Sequence, residues 1–134
     1  MIVVDTNVIA YLFINGDQTE KAKSLLLYDP EWIAPVLWRS EFRSLLALYM
    51  RKKYFGVEEA LLIMNEAENF MDENEYQVNS IEILELVNNS NCSSYDCEFV
   101  ALAKKLNLKL FTSDKKILTE FPHIANSISD FSIK

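Results

Sequence analysis

The stretch Ile2-Val3-Val4-Asp5-Thr6-Asn7 decides the fold class of this chain. Three β-branched apolar residues predict a short strand buried on both faces, and an acid ends the strand. Further strands are predicted over 32–34, 76–78, 109–112 and 131–133. Predicted helices separate them, over 7–13, 19–27, 36–54, 57–72, 80–87, 95–106 and 114–121. Strands that alternate with helices indicate an α/β fold with a parallel sheet covered on both faces.

Composition narrows the class of protein. The chain has 134 residues, of which 50% are hydrophobic, with 2 Gly and 3 Pro. This predicts a single domain over 1–134 with a sizeable core, rather than a disordered chain. No apolar run is long enough to span a membrane, and the N-terminus lacks the features of a signal peptide, so we expect a cytoplasmic protein.

The counts of histidine and cysteine exclude some metal sites. The single histidine, His123, cannot build a His-rich zinc site. The spacing of Cys92 and Cys97 matches neither a zinc nor a thioredoxin-type signature. Any bound metal is therefore expected to be held mostly by carboxylates.

The charge is distributed unevenly. The chain carries 13 basic and 20 acidic residues, a net charge of −7, which as a whole disfavours non-specific binding to nucleic acid. Residues 58–85 hold nine of the acids and no Lys or Arg, so the rest of the chain has 13 basic residues against 11 acidic ones. The acidity is local, and a polyanionic substrate stays compatible with it.

Two acids occupy helix positions that usually carry apolar side chains. At about 100° per residue, Glu41 lies inside the apolar arc of the long third helix. Asp96 lies inside the apolar arc of the helix predicted over 95–106, whereas Glu98 lies outside. A buried, unpaired carboxylate is costly. The ordinary explanations are a buried partner for Glu41 and, for Asp96, a capping box with Ser93.

Two other acids end predicted strands. Asp5 follows the first strand, and Asp114 follows the strand that ends at Thr112. Either acid could be an ordinary helix N-cap. However, both lie at the sheet edge where α/β folds build their binding sites. The sequence thus places Asp5, Glu41, Asp96 and Asp114 as a candidate cluster.

The chemistry open to clustered carboxylates is narrow. They repel one another and raise one another's pKa values unless a divalent cation offsets the charge. Ligand sets made only of oxygen select Mg²⁺ or Mn²⁺. Such ions lower the pKa of a bound water and stabilise both oxygens of a phosphodiester displacement. The cluster therefore predicts hydrolysis of a phosphodiester by metal-activated water.

Four motifs in order resemble those of the PIN-domain ribonucleases, in particular the VapC-like toxins of type II toxin–antitoxin pairs. They are Ile2-Val3-Val4-Asp5-Thr6-Asn7, Trp38-Arg39-Ser40-Glu41-Phe42, Tyr95-Asp96-Cys97-Glu98-Phe99 and Leu110-Phe111-Thr112-Ser113-Asp114. The resemblance implies a three-layer α/β/α sandwich with a central, mainly parallel sheet. It also implies a Mg²⁺- or Mn²⁺-dependent endoribonuclease.

The same resemblance implies residue roles and partners. Asp5, Glu41, Asp96 and Asp114 would be the catalytic, metal-binding quartet, and Asn7 and Thr112 would support it. The implied partners are an RNA substrate, a small antitoxin protein and a second copy of the chain in a homodimer.

Four basic residues are candidate RNA contacts because they lie next to motif acids: Arg39, Arg43, Lys115 and Lys116. For the two arginines, solvated charges are an equally good interpretation.

Two other functions compete with the ribonuclease. The first is a module of the same fold that binds RNA or protein without physiological turnover. The second is a phosphatase with Asp5 as nucleophile, but such enzymes usually have a second acid two residues on, where this chain has Asn7.

Overall fold

The computed structural model describes residues 1–129 and residue 131. Within this part of the chain, strands and helices follow one another in this order: β1 Ile2–Val4, α1 Thr6–Phe13, α2 Thr19–Tyr28, β2 Trp32–Pro35, α3 Trp38–Arg51, α4 Val57–Met71, β3 Glu75–Tyr76, α5 Ser80–Asn88, α6 Ser94–Leu106, β4 Leu110–Thr112, α7 Lys115–Glu120 and β5 Ala125–Ser127.

The strands form one parallel sheet in the order β3-β2-β1-β4-β5. Strand β1 lies at the centre, with Val3 aligned with Ile33 of β2 on one side and with Leu110 of β4 on the other. All residues of β1, β2 and β4 are buried. Their sequences are therefore mostly apolar throughout and do not alternate between apolar and polar residues.

Helices cover both faces of the sheet. Helix α6 contacts β1, β2 and β4, and α5 packs on α6. Helix α1 contacts β4, α4 contacts β2, and α1 also packs against α2 and α3. This arrangement is the three-layer α/β/α sandwich with a parallel sheet that the sequence predicted. Of the helices in the described residues, none is long and apolar enough to cross a membrane.

Several predicted boundaries are wrong by a few residues. Helix α3 begins at Trp38 rather than at residue 36 and ends at Arg51, since Lys53 has a positive φ of 66° that interrupts the helix. Strand β3 begins one residue earlier than predicted.

The last strand differs most from its prediction. Residues 132 and 133 of the strand predicted over 131–133 lie outside the described residues, and Phe131 is in no strand. The fifth strand is instead Ala125–Ser127, paired in parallel with β4. Its sequence, Ala-Asn-Ser, has little β propensity, so pairing with β4 decides its conformation.

Candidate active site

The candidate site lies where the order of strands reverses direction. From β1 the chain leads first to β2 on one side and later to β4 on the other, so a crevice opens at the carboxyl ends of β1 and β4. Ligands of open α/β sheets bind at such a point. Asp5 directly follows β1, and Asp114 follows β4 after one intervening residue.

Asp5 is the most buried acid of the site. Its side chain caps α1: Oδ1 accepts a hydrogen bond from the Thr6 backbone N–H at 2.8 Å. Its Oδ2 accepts one from the Thr112 hydroxyl at 2.7 Å. Burial raises the pKa of Asp5 from 3.8 to about 7, although both hydrogen bonds act in the opposite direction. The ordinary N-cap interpretation is thus correct, and the carboxylate is also strongly desolvated.

Thr112 connects the two acids that follow the central strands. Its side chain is fully buried. The hydroxyl donates to Asp5 and accepts a hydrogen bond from the Asp114 backbone N–H at 3.0 Å. The Asp114 side chain caps α7, because Oδ1 accepts from the N–H groups of Lys116 and Ile117 at 2.9 and 3.1 Å.

Glu41 reaches the site from the first turn of α3. Its Oε1 accepts a hydrogen bond of 2.7 Å from the hydroxyl of Thr6, which is itself buried. This bond is the compensation that the position of Glu41 in an apolar arc required. The pKa of Glu41 is raised, first by burial and then by the negative charges of Asp96 and Glu98.

Asp96 enters the site from the first turn of α6. Ser93 is the N-cap of this helix, and its Oγ accepts a hydrogen bond from the Asp96 backbone N–H at 3.1 Å, which is the capping contact expected from Ser93. Burial and the charge of Asp114 raise the pKa of Asp96. Asp96 also acts on both Asp5 and Glu41, so the four acids form one electrostatically coupled group.

The donor set fits a hard divalent cation. The charged groups that could bind a metal are carboxylates, and among the described residues the Oδ1 atom of Asn7 is buried without a hydrogen-bond partner. The Nδ2 atom of Asn7 lies 3.5 Å from Asp5 Oδ2. Buried oxygens that repel one another or lack a donor are what a bound Mg²⁺ or Mn²⁺ would satisfy. Within residues 1–129 and 131, no three His, Cys, Asp or Glu side chains are close enough together to form a complete metal-ligand group. The carboxylates therefore interact electrostatically but lie farther apart than metal ligands do.

Sequence reasoning missed two contributors. Glu98 lies outside the apolar arc of α6, but its charge still raises the pKa of Glu41, and partial burial raises its own pKa. Thr6 provides the hydroxyl that holds Glu41. The signal for Thr6 is its place directly after Asp5, whereas no helical pattern points to Glu98.

The predicted RNA contacts have different surroundings. Lys115 and Lys116 are exposed beside Asp114, and Lys116 is near enough to lower the pKa of Asp96. Arg43 is exposed and contacts Ser40 at 3.2 Å. Arg39 is neither free for a phosphate nor simply solvated, because it is ion-paired with two acids. Its predicted role as an RNA contact therefore has no support in the geometry.

The family of the chain follows from a comparison of its sequence with family models. The model described as the PIN domain matches residues 2–125. The chain therefore belongs to the PIN domain family, as its four motifs predicted, and members of this family are generally nucleases. A search among curated proteins gives no match.

Solved structures share the fold. The crystal structure of FitAcB from Neisseria gonorrhoeae has a TM-score of 0.77 at 14% identity, covering 98% of this chain and 100% of that chain. The structure of FitAB bound to an IR36 DNA fragment has a TM-score of 0.74 at 14% identity, covering 99% of each chain. A toxin–antitoxin complex from Klebsiella pneumoniae has a TM-score of 0.70 at 18% identity, covering 99% of this chain and 100% of that chain. At these identities the likeness concerns the fold.

Proposed function

We propose that this chain is a metal-dependent endoribonuclease whose catalytic, metal-binding residues are Asp5, Glu41, Asp96 and Asp114. The observation that carries this proposal is the coupled group of acids at the crevice between β1 and β4. The two hydrogen bonds that Asp5 accepts do not offset its burial, since its pKa is still raised to about 7, and a bound cation would supply the missing compensation. Membership in a family of nucleases supports the same conclusion.

Each polar residue then has a task. The four carboxylates would hold Mg²⁺ or Mn²⁺, which when bound supplies positive charge and a water of lowered pKa. Thr112 fixes Asp5 relative to Asp114, and Thr6 fixes Glu41. Asn7, whose Nδ2 lies 3.5 Å from Asp5 Oδ2, would support the quartet. Lys115 and Lys116, exposed beside Asp114, would contact phosphates of the RNA.

We further propose that the chain is one PIN domain over 1–134, acting in the cytoplasm as the toxin of a toxin–antitoxin pair. The solved structures of similar fold support a protein partner, since one of them is a toxin–antitoxin complex. A small antitoxin would then inhibit the nuclease, and a homodimer would be the working form.

A binding module without turnover is the second candidate. The specific observation in its favour is the lack of a closed ligand group among the described His, Cys, Asp and Glu side chains. In that case the acids would form part of a surface that binds RNA or protein, and adding a divalent cation would cause no cleavage of RNA.

The deciding experiment is cleavage of labelled total RNA, with single-stranded DNA in parallel, in Mg²⁺, in Mn²⁺ and in EDTA. An Asp5→Asn/Asp96→Asn variant removes two members of the quartet. An Asp17→Asn/Asp72→Asn variant is the matched control, since it makes the same chemical change at two exposed sites.

We expect discrete RNA fragments that require a divalent cation, are made by the control and are not made by the quartet variant. Cleavage of DNA alone would overturn the choice of substrate. Folded protein without metal-dependent cleavage would favour the binding module, and cleavage that survives the quartet variant would overturn the assignment of the acids.

A further inference from the structure

The start of α3 is held by an acid from the edge of the sheet. The N-cap of this helix, Leu37, makes no side-chain capping bond. Instead, the buried Trp38 donates its indole N–H to Glu75 Oε2 at 2.8 Å. Arg39 donates Nε to the same oxygen at 2.6 Å and Nη2 to Glu75 Oε1 at 2.7 Å. We call these three residues, Trp38, Arg39 and Glu75, the Glu75 clamp.

The Glu75 clamp joins rigid parts of the molecule. Glu75 lies in β3 and is aligned with Ala34 of β2. The next residue, Tyr76, accepts a hydrogen bond at 3.0 Å from the N–H of Val36, just before α3. Arg39 also forms an ion pair with Glu68 of α4. A two-pronged guanidinium–carboxylate pair fixes direction as well as distance, which a single ion pair does not.

The clamp acts on the helical turn that carries Glu41. Trp38 and Glu41 are three residues apart, so they are neighbours on one side of α3. The 2.7 Å bond from Thr6 to Glu41 tolerates little displacement, since hydrogen bonds weaken steeply with distance and angle. A rotation of α3 about its axis would carry the Glu41 carboxylate away from Thr6.

We propose that Glu75 and Arg39 are positioning residues, which set the rotation of α3 so that the Glu41 carboxylate faces the other acids. This inference rests on the proposed function for the importance of Glu41, but its structural content is independent of that function. Neither residue forms a hydrogen bond or an ion pair with the acids of the quartet in the part of the chain that the structure describes. Arg39, a predicted RNA contact, thus acts on the site through the helix.

The test compares two acids that bind the same arginine. Glu75→Gln removes the negative charge of the clamp. Arg39→Lys keeps the positive charge but cannot form the two-pronged pair with Glu75. Glu68→Gln is the matched control, because it removes the other negative charge that is paired with Arg39 and leaves Glu75 in place. The primary readout is the carboxyl ¹³C resonance of Glu41 in EDTA-treated protein, assigned with Glu41→Gln, together with the amide resonance of Thr6.

We expect Glu75→Gln and Arg39→Lys to displace both resonances in folded protein, and Glu68→Gln to leave them in place. A Mn²⁺ titration should then show binding about 10-fold weaker in Glu75→Gln, in the range seen when groups that orient metal ligands are lost. If the resonances and the affinity for Mn²⁺ match those of Glu68→Gln, the clamp only adds stability and the inference is wrong. Should Glu75→Gln fail to fold, Arg39→Lys decides the question by the same readout.

The inference and the proposed nuclease can fail separately. If the wild type cleaves no RNA, the resonances still show whether the Glu75 clamp positions Glu41. If it does cleave RNA, Glu75→Gln should lower kcat more than it changes KM, since Glu41 is assigned to metal binding rather than to binding of RNA.

Discussion

At the scale of single residues, the hydroxyl of Thr112 links two acids of the candidate site. It is fully buried, donates to Asp5 and accepts from the N–H of Asp114. A buried hydroxyl in this position couples the ends of β1 and β4 at the level of individual atoms. Its loss would remove the hydrogen bond of the Asp114 backbone N–H and leave Asp5 Oδ2 with only the longer contact of 3.5 Å to Asn7, which is more costly than the loss of an ordinary hydrogen bond.

Replacing Thr112 by Val is therefore predicted to lower the free energy of unfolding by about 1–3 kcal/mol and to reduce cleavage of RNA. Urea denaturation and initial rates of cleavage measure the two effects. Thr19→Val is the matched control, because Thr19 is also buried and its hydroxyl also both accepts and donates, from the Gly16 N–H and to the Tyr11 carbonyl. The control should lose stability but keep its cleavage; wild-type rates in Thr112→Val would contradict the role assigned to this hydroxyl.

The pKa of Asp5 predicts how stability depends on pH in EDTA-treated protein. Between its ordinary value of 3.8 and its native value of about 7, the native state holds this proton more tightly than the unfolded chain. The contribution of Asp5 to the free energy of unfolding is therefore present at low pH and lost as the pH rises through about 7.

Asp5→Asn is neutral at every pH and should remove this dependence, so that above about pH 7 the variant is more stable than the wild type in EDTA. Urea denaturation at a series of pH values measures it, with the exposed Asp17→Asn as control. Added Mn²⁺ should stabilise the wild type more than Asp5→Asn. Parallel pH profiles for wild type and Asp5→Asn would refute the desolvation of this carboxylate.

At the scale of elements, the connection between α3 and α4 stores backbone strain. Lys53 has a φ of 66°, a left-handed conformation that costs a residue with a Cβ atom roughly 1–2 kcal/mol relative to glycine. Its neighbour Lys52, the C-cap of α3, has an ordinary φ of −79°. Both side chains are exposed, so the backbone dominates the effect of substitution.

Lys53→Gly is accordingly predicted to raise the free energy of unfolding by about 1 kcal/mol. Lys52→Gly makes the same change of side chain one residue earlier and should lower it by roughly 0.5–1 kcal/mol. The two midpoints of urea denaturation test the difference in sign. Equal effects of the two substitutions would show that the turn is not strained.

At the scale of the whole molecule, the distribution of charge matters more than its sum. The net charge is −7, yet nine acids fall in residues 58–85. Lys115 and Lys116 begin α7 beside the candidate site, whereas Lys104 and Lys105 lie in the last turn of α6. The chain thus offers two lysine pairs with identical charge and different positions relative to the acids.

Lys115→Gln/Lys116→Gln is predicted to weaken binding of labelled single-stranded RNA. The slope of log affinity against log salt should become shallower by about 0.7 for each phosphate that the lysines no longer neutralise. Fluorescence anisotropy in EDTA measures binding without cleavage. Lys104→Gln/Lys105→Gln changes the net charge equally and should leave the slope unchanged. The same weakening in both variants would mean that only net charge governs binding.

Agreement between sequence and structure follows the strength of local signals. The runs at β1 and β4 are apolar on both faces, and the helix over Ser94–Leu106 has a Ser N-cap, so these elements were predictable to within one residue. Strand β5 was not, since its pairing with β4 rather than its own residues holds it extended. The start of α3 was predicted two residues early. Val36 and Leu37 suit a helix, but the Val36 N–H donates to the Tyr76 carbonyl of β3, and this hydrogen bond between distant residues keeps Val36 out of the helix.

The sequence by itself determined which acids are candidates, because Glu41 and Asp96 interrupt apolar arcs and Asp5 and Asp114 end strands. It also determined the class of fold, since apolar strands alternating with amphipathic helices have few ways to bury their surfaces. Only the tertiary structure decided what each polar group contacts. The bonds from Thr6 to Glu41, from Thr112 to Asp5 and from Arg39 to Glu75 join residues 35, 107 and 36 positions apart. No periodicity encodes such pairs, because they depend on how strands and helices meet in space.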